Sequence, residues 1–183
     1  TLRPQNEIAR ERLEIELRKA PPVAAGDLAR QLNVSLPTVL RILREREERI
    51  IRLGSTKNAR YALRRPLRGI AKSIPVYRIA AKGKGHHCGA LELVDPQGSC
   101  MDLRRMGWPA DKTRRDGWWD GLPYPLHDMR PQGFLGRNFA RSIHQENAVS
   151  ANPREWSDDD IVHVLTRYGS DTSGNLIVGD PAY

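Results

Sequence analysis

Residues 23–46, VAAGDLARQLNVSLPTVLRILRER, constrain this chain more than any other stretch, because they set two short amphipathic helices on either side of a tight turn. Leu28, Ala29 and Leu32 make the apolar stripe of the first helix, and Leu36, Val39, Leu40 and Leu43 that of the second. Asn33 and Val34 supply the turn, and Ser35 is placed to accept a backbone N–H as the N-cap of the second helix. Pro37 falls in the first turn of that helix, where a missing N–H costs nothing. With its stripe committed to a core, the second helix turns Ser35, Pro37, Thr38, Arg41 and Arg44 outward, short polar groups and arginines suited to base edges and phosphates. The pattern is that of a helix-turn-helix, with its second helix in the recognition position and double-stranded DNA as the expected partner.

Charge supports the same assignment. Residues 1–70 hold 16 Lys/Arg against 8 Asp/Glu, whereas residues 71–183 hold 14 against 14, so the whole net charge of +8 lies in the segment with the helix-turn-helix. A general polyanion binder would be basic throughout; this asymmetry gives one segment the phosphate-facing task. Two cysteines, Cys88 and Cys100, fit neither a disulfide-dense secreted scaffold nor a four-thiolate zinc site. No run of about 18 apolar residues and no signal-peptide pattern occurs, so the expectation is a cytoplasmic protein without a membrane partner. The chain begins at Thr1 without a methionine and stops just after a strand-like run, as a fragment of a longer polypeptide would.

Three elements frame the helix-turn-helix. Residues 6–19 carry Ala9, Leu13 and Leu17 at fourfold spacing with Ile8 and Ile15 beside them, and Pro21-Pro22 ends that helix. After the second helix, Ile50, Ile51 and Leu53, a Gly/Asn-containing turn, and residues 59–63 read as two short strands. The order resembles the winged-helix family over residues 1–65, with the hairpin as the wing and Arg52, Lys57 and Arg60 set to meet phosphates or the minor groove. Most such modules bind paired half-sites, which suits a homodimer. Residues 66–73, rich in Arg, Pro and Gly without periodicity, read as a linker.

Beyond it, residues 74–79, 87–94 and 99–103 alternate like strands between the turn signals KGKG and DPQG, which predicts a small antiparallel sheet or partial barrel. Residues 104–133, dominated by Trp, Pro, Gly and Asp, read as a long structured loop. A helix is expected over 134–145, with Leu135, Phe139 and Ile143 on its inner face, and a second over 157–168. Ser157 caps the second, Asp158 to Asp160 complement its dipole and Gly169 ends it; residues 176–178 make a last strand. The fold class is therefore α+β: a winged helix-turn-helix followed by a small sheet subdomain, residues 74–183, with two helices.

Two long segments in this second half, WWDGLPYPLHDMRPQGFLGR at residues 118–137 and REWSDDDIVHVLTRYGSDTSGNLIVGD at residues 154–180, carry a family likeness. They resemble the amino-terminal subdomain of HipA-like serine/threonine kinases and its junction to the kinase core, in the YjjJ-type branch that has its own winged-helix domain. With the preceding strands and the winged helix, the likeness extends over nearly the whole chain. It implies a longer parent polypeptide, a toxin-type kinase that transfers phosphate from ATP to a protein hydroxyl with magnesium. Canonical relatives pair with a DNA-binding antitoxin, and the resemblance implies that in this branch the DNA-binding module is fused to the kinase. The glycine-rich phosphorylatable loop, the ATP-binding lysine and the catalytic and metal-binding aspartates are then expected downstream. No catalytic, cofactor or metal residue is assigned within this chain, and the kinase core of the same polypeptide becomes its expected partner. Gly133 and Gly136 in PQGFLGR have neither the glycine spacing of a Walker loop nor its following Lys-Ser/Thr.

Other chemistry is poorly supported. His86, His87 and Cys88 are adjacent and alternate faces on a strand, and with Cys100 they make no tetrahedral set for zinc. Asp116, Asp120 and Asp128 lack the paired spacing of a metal-dependent nuclease and read as turn residues. Trp108, Trp118 and Trp119 fit two readings, a satellite core pinning the loop to the sheet or a docking surface for the kinase core. The rival function is a free-standing winged-helix transcriptional regulator whose second domain senses a ligand or partner.

Overall fold

Ala9, Leu13 and Leu17 recur every fourth residue, and they form the fully buried stripe of the first helix, α1 (Pro4–Lys19), in the computed structural model of the chain. The structure describes residues 4–54, 56–107, 109, 117–169 and 175–180. Ile8 and Ile15, expected beside that stripe, point outward instead, 55% and 54% exposed, because a surface helix buries only one narrow face. α2 (Ala25–Leu32) and α3 (Leu36–Glu45) follow, joined by a turn in which Asn33 takes the left-handed conformation that caps α2. A two-residue strand, β1 (Val23–Ala24), precedes α2 and was not legible as a strand.

The buried set of α3 is Val39, Ile42 and Leu43, with Leu40 packed at its edge. Leu36, assigned to that stripe from the sequence, is 45% exposed in the first turn. The helix is rotated toward Ile42, which carries Arg41 and Arg44 to the side opposite the core. These three helices close over the hairpin of β2 (Ile50–Leu53) and β3 (Arg60–Arg64), with Ile50, Tyr61 and Leu63 completing their core.

β3 is also the entry to the rest of the molecule. It pairs with β1 and β2 along most of its length, and its last two residues pair with β5 (Gly85–Asp95), Leu63 opposite Asp95 and Arg64 opposite Val94. β5 then pairs with β4 (Ile74–Ile79), and β4 with β8 (Leu176–Val178). On its other side β5 meets β6 (Ser99–Cys100), which pairs with β7 (Trp118–Trp119). All the pairings are antiparallel, giving an eight-stranded half-barrel sheet in an α+β chain. Residues 66–73, read as a linker, lead from β3 to β4 with one isolated bridge between Leu67 and Ile70, and the sheet itself runs on past them.

α4 (Tyr124–Asp128), α5 (Gly133–Asn147) and α6 (Asp158–Tyr168) contribute to the second core with Ile74, Val76, Leu91, Leu93 and Val178 of the sheet. α6 starts on a full capping box, Ser157 accepting from the Asp160 N–H and Asp160 from the Ser157 N–H. Two details depart from the sequence reading. The strand expected over 99–103 stops at Cys100, and Leu103 is buried by a 3-10 turn that Asp102 caps. Leu135 is 80% exposed, because α5 meets the core only from Phe139 onward, through Ala140 and Ile143. The loop expected over 104–133 contains β7 and α4, whose short apolar runs are too brief to show a period.

Candidate functional site

α3 is fixed at both ends by contacts that its own sequence supplies in part. Ser35 Oγ accepts from the Thr38 N–H at 3.4 Å and lies 2.9 Å from Thr38 Oγ1, so the two hydroxyls hold the first turn. Pro37 sits exposed beside them and Thr38 is half-buried. At the far end Glu45 takes a bidentate grip from Arg10 of α1, at 2.8 and 3.1 Å, and a longer contact from Arg41 at 3.4 Å. The Arg10 hydrogen bond, more than any other effect, holds the Glu45 carboxyl below its ordinary range. Arg41 is therefore partly neutralised by a neighbour one turn away, whereas Arg44 is exposed and has no ion-pair partner among the described residues.

The hairpin meets this helix on the same side. A cleft of about 310 Å³ is walled by Leu40, Leu43 and Arg44 of α3 and by Ile50, Arg52 and Tyr61 of the hairpin. Arg44 and Arg52 thus stand on two elements around one depression, with Glu47 on its rim. Arg52 is the one outward residue in the buried-buried-exposed-buried pattern of β2, as strand alternation requires. Lys57 lies exposed in the 3-10 turn at the hairpin tip and Arg60 exposed on β3, neither with an ion-pair partner among the described residues. The structure groups Arg44 with Arg52; it does not place Lys57 or Arg60 on that cleft. Arg10 was missed from the sequence, since nothing local marks a side chain that reaches a carboxylate 35 residues away.

Trp118 and Trp119 pack inward to different degrees. Trp119 is 7% exposed, donates from Nε1 to the Met101 carbonyl at 3.1 Å and meets Tyr124 edge-on at 6.1 Å. Trp118 is half-buried against Ile51, Leu53, Ala62 and Val94, so it plugs the seam between the hairpin and the second sheet. Both pack internally, as the satellite-core reading has it, with Trp118 partly exposed. Trp108 lies outside the described residues, as does Asp116. Asp120 is exposed in a bend and Asp128 is exposed at the end of α4.

Among the described residues, no three His, Cys, Asp or Glu side chains converge in a way that would hold a metal ion. His87 packs edge-on against Tyr77, and Cys88 donates to the Val76 carbonyl at 3.2 Å. Burial pushes the Cys88 thiol up, away from the thiolate needed for nucleophilic or metal chemistry. No helix among the described residues is long and apolar enough to cross a membrane.

Comparison with known proteins bears on residues in both halves. A family model described as "YjjJ-like toxin, middle domain" matches residues 70–183. Toxin YjjJ of Escherichia coli K12 is 38% identical over 165 residues, which are 88% of this chain and 34% of that protein. The chain thus spans about a third of the length of that curated relative. No solved structure matches.

Proposed function

Since this chain belongs to the YjjJ-like toxin family, we propose that it is the DNA-addressing, kinase-covering amino-terminal part of a HipA-like serine/threonine kinase toxin. In this reading residues 1–65 form a winged helix-turn-helix, α3 enters the major groove and the β2–β3 hairpin is the wing. Ser35, Pro37, Thr38, Arg41 and Arg44 approach base edges, while Arg52, Lys57 and Arg60 contact phosphates. The observation that carries the reading is the pair Arg44 and Arg52, cations without an ion-pair partner among the described residues, on two elements lining one cleft beside the capped helix α3. Elsewhere this protein commonly pairs its arginines: Arg10, Arg12, Arg46, Arg49, Arg64 and Arg65 all hold carboxylates. Guanidinium groups left free around a concave surface suit a polyanion that arrives later.

Residues 74–183 pack on the downstream kinase core in this reading. With Trp118 and Trp119 used internally, the contact surface falls to Phe134 and Leu135, 69% and 80% exposed on the first turn of α5. In this reading the ATP and magnesium of the phosphoryl transfer belong to that core, whose catalytic residues are expected downstream of this chain.

The test is fluorescence anisotropy of the chain with labelled duplex pools across a salt series. Binding at low salt that weakens as salt rises, and that Arg44→Ala reduces, is the expected result. Absence of duplex binding at low salt, or indifference to Arg44→Ala, would remove the recognition-helix assignment. The kinase part is read separately, as transfer of the ATP γ-phosphate to a protein hydroxyl by the full-length polypeptide.

A further inference from the structure

A cleft of about 540 Å³ in the second half of the chain is lined by Arg130, Arg137, Arg141 and Arg154. Its walls are the Arg130–Pro131 approach to α5, the first turns of α5, and the 3-10 turn Pro153–Glu155. No aspartate or glutamate lines it. Among the described residues none of the four guanidinium groups holds an ion pair or donates a side-chain hydrogen bond. The nearest carboxylate in sequence, Glu155, is engaged by Ser150 at 2.7 Å and Asn152 at 3.0 Å. Those hydrogen bonds, Ser150 first, keep Glu155 ionised to lower pH than usual without bringing it to the arginines.

Four like charges around one concavity repel, and in a half of the chain with no net charge their concentration has to be explained locally. The walls are also held rigidly. A Cβ at Gly136 would lie 2.6 Å from the Pro131 carbonyl carbon, so glycine alone lets α5 press against the Arg130–Pro131 segment. No side chain caps the start of α5, which leaves the first N–H groups of a 15-residue helix open beside Gln132 and Gly133 of the lining.

We propose that this cleft binds a chain of linked phosphate groups, as an inorganic oligophosphate or as the phosphate tail of a nucleotide. Guanidinium forks match phosphate oxygens two at a time, and several of them can grip successive groups. The lining offers Pro, Gly, Ala, Gln and Asn but no aromatic face for a base, so recognition rests on the phosphates. The volume exceeds what one phosphate fills, which favours a chain of them. This site is independent of the DNA-binding and kinase assignments.

The experiment is calorimetric titration of the chain with magnesium-free tripolyphosphate, ATP and orthophosphate. Tripolyphosphate is expected to bind once per chain, and the double variant Arg137→Gln/Arg141→Gln to weaken it about tenfold or more, while Arg44→Gln/Arg52→Gln leaves it unchanged. ATP equal to tripolyphosphate makes the phosphates the whole ligand, and ATP tighter than tripolyphosphate makes the nucleotide the source; either supports the site. Orthophosphate binding as tightly as tripolyphosphate overturns it, as does equal loss in both double variants, which would show attraction to overall charge. Duplex DNA binding lost with Arg137→Gln/Arg141→Gln would assign the cleft to DNA and also overturn it. If that variant melts early, Arg130→Gln/Arg154→Gln, from the other wall, gives the same reading.

Discussion

At the scale of single residues, pairing decides what an arginine can do. Arg41 and Arg44 both leave α3 on the side away from the core, yet Arg41 shares Glu45 with Arg10 and Arg44 shares nothing among the described residues. An exposed pair such as Arg41–Glu45 is worth little by itself, but it must be given up before Arg41 can serve another anion. Arg44→Ala is therefore expected to weaken binding to a cognate duplex by about 1–3 kcal/mol, with a smaller loss for Arg41→Ala. Lys57→Ala should weaken all duplexes alike and lower the salt slope by about 1. Anisotropy titrations on specific and scrambled duplexes separate the two behaviours. A glycine gives the contrasting case of pure geometry. Gly98 has φ +100°, and a Cβ there would stand 2.7 Å from the Trp119 carbonyl oxygen. Gly98→Ala should cost at least about 2 kcal/mol in urea unfolding, combining left-handed strain with a displaced β7.

At the scale of elements, α6 shows how a sequence signal takes on a second task. Ser157 and three aspartates announce a helix start, and the capping box is present. Yet Asp159 also holds Arg65 at 2.8 Å and Asp160 holds Arg68 at 2.7 Å, so the same turn clamps the end of β3 and the segment after it. Ser157→Ala should lose about 1 kcal/mol, the value of a cap alone. Asp160→Ala removes the capping carboxylate and the Arg68 partner together, and thermal melting should place it below Ser157→Ala. If Ser157→Ala proved the more damaging, the clamp would contribute nothing. α3 and α5 teach the complementary lesson. Their periods were readable, but their rotation was not: Leu36 and Leu135 fit an apolar stripe by spacing and lie exposed in first turns that overhang their cores.

At the scale of the molecule, the two cores are joined by one sheet, by Trp118 in the seam, and by Arg18–Asp95, Arg64–Glu92 and Arg65–Asp159 across it. Unfolding followed by tryptophan fluorescence and by far-ultraviolet circular dichroism should give coincident transitions, and Asp159→Ala should shift both by about 1–2 kcal/mol. Acid should weaken the whole. Glu16, chiefly through Lys19, Glu45 through Arg10 and Glu155 through Ser150 titrate below the ordinary 4.5, and burial lowers His163 from 6.5. Each favours the deprotonated form in the folded state, so its contribution is complete above the unfolded value and is lost as pH falls through the folded one. Urea midpoints should fall in a first step below pH 6.5 and a second below pH 4.5; a midpoint rising on acidification contradicts these directions. The sequence by itself determined what depends on near neighbours: the paired helices around Asn33, the Ser35 and Ser157 caps, strands β4 and β8, the α+β class and the basic first half. Those signals lie within a turn or a strand, where local sterics and hydrogen bonding act. Only the tertiary structure decided that β3 hands the sheet from one core to the other, that Arg10 reaches Glu45, that Trp118 and Trp119 pack internally, and that Arg154 comes round to the cleft of Arg130, Arg137 and Arg141. Each of these joins residues far apart in the chain, and distance along a sequence carries no information about which side chains will meet once the cores have packed.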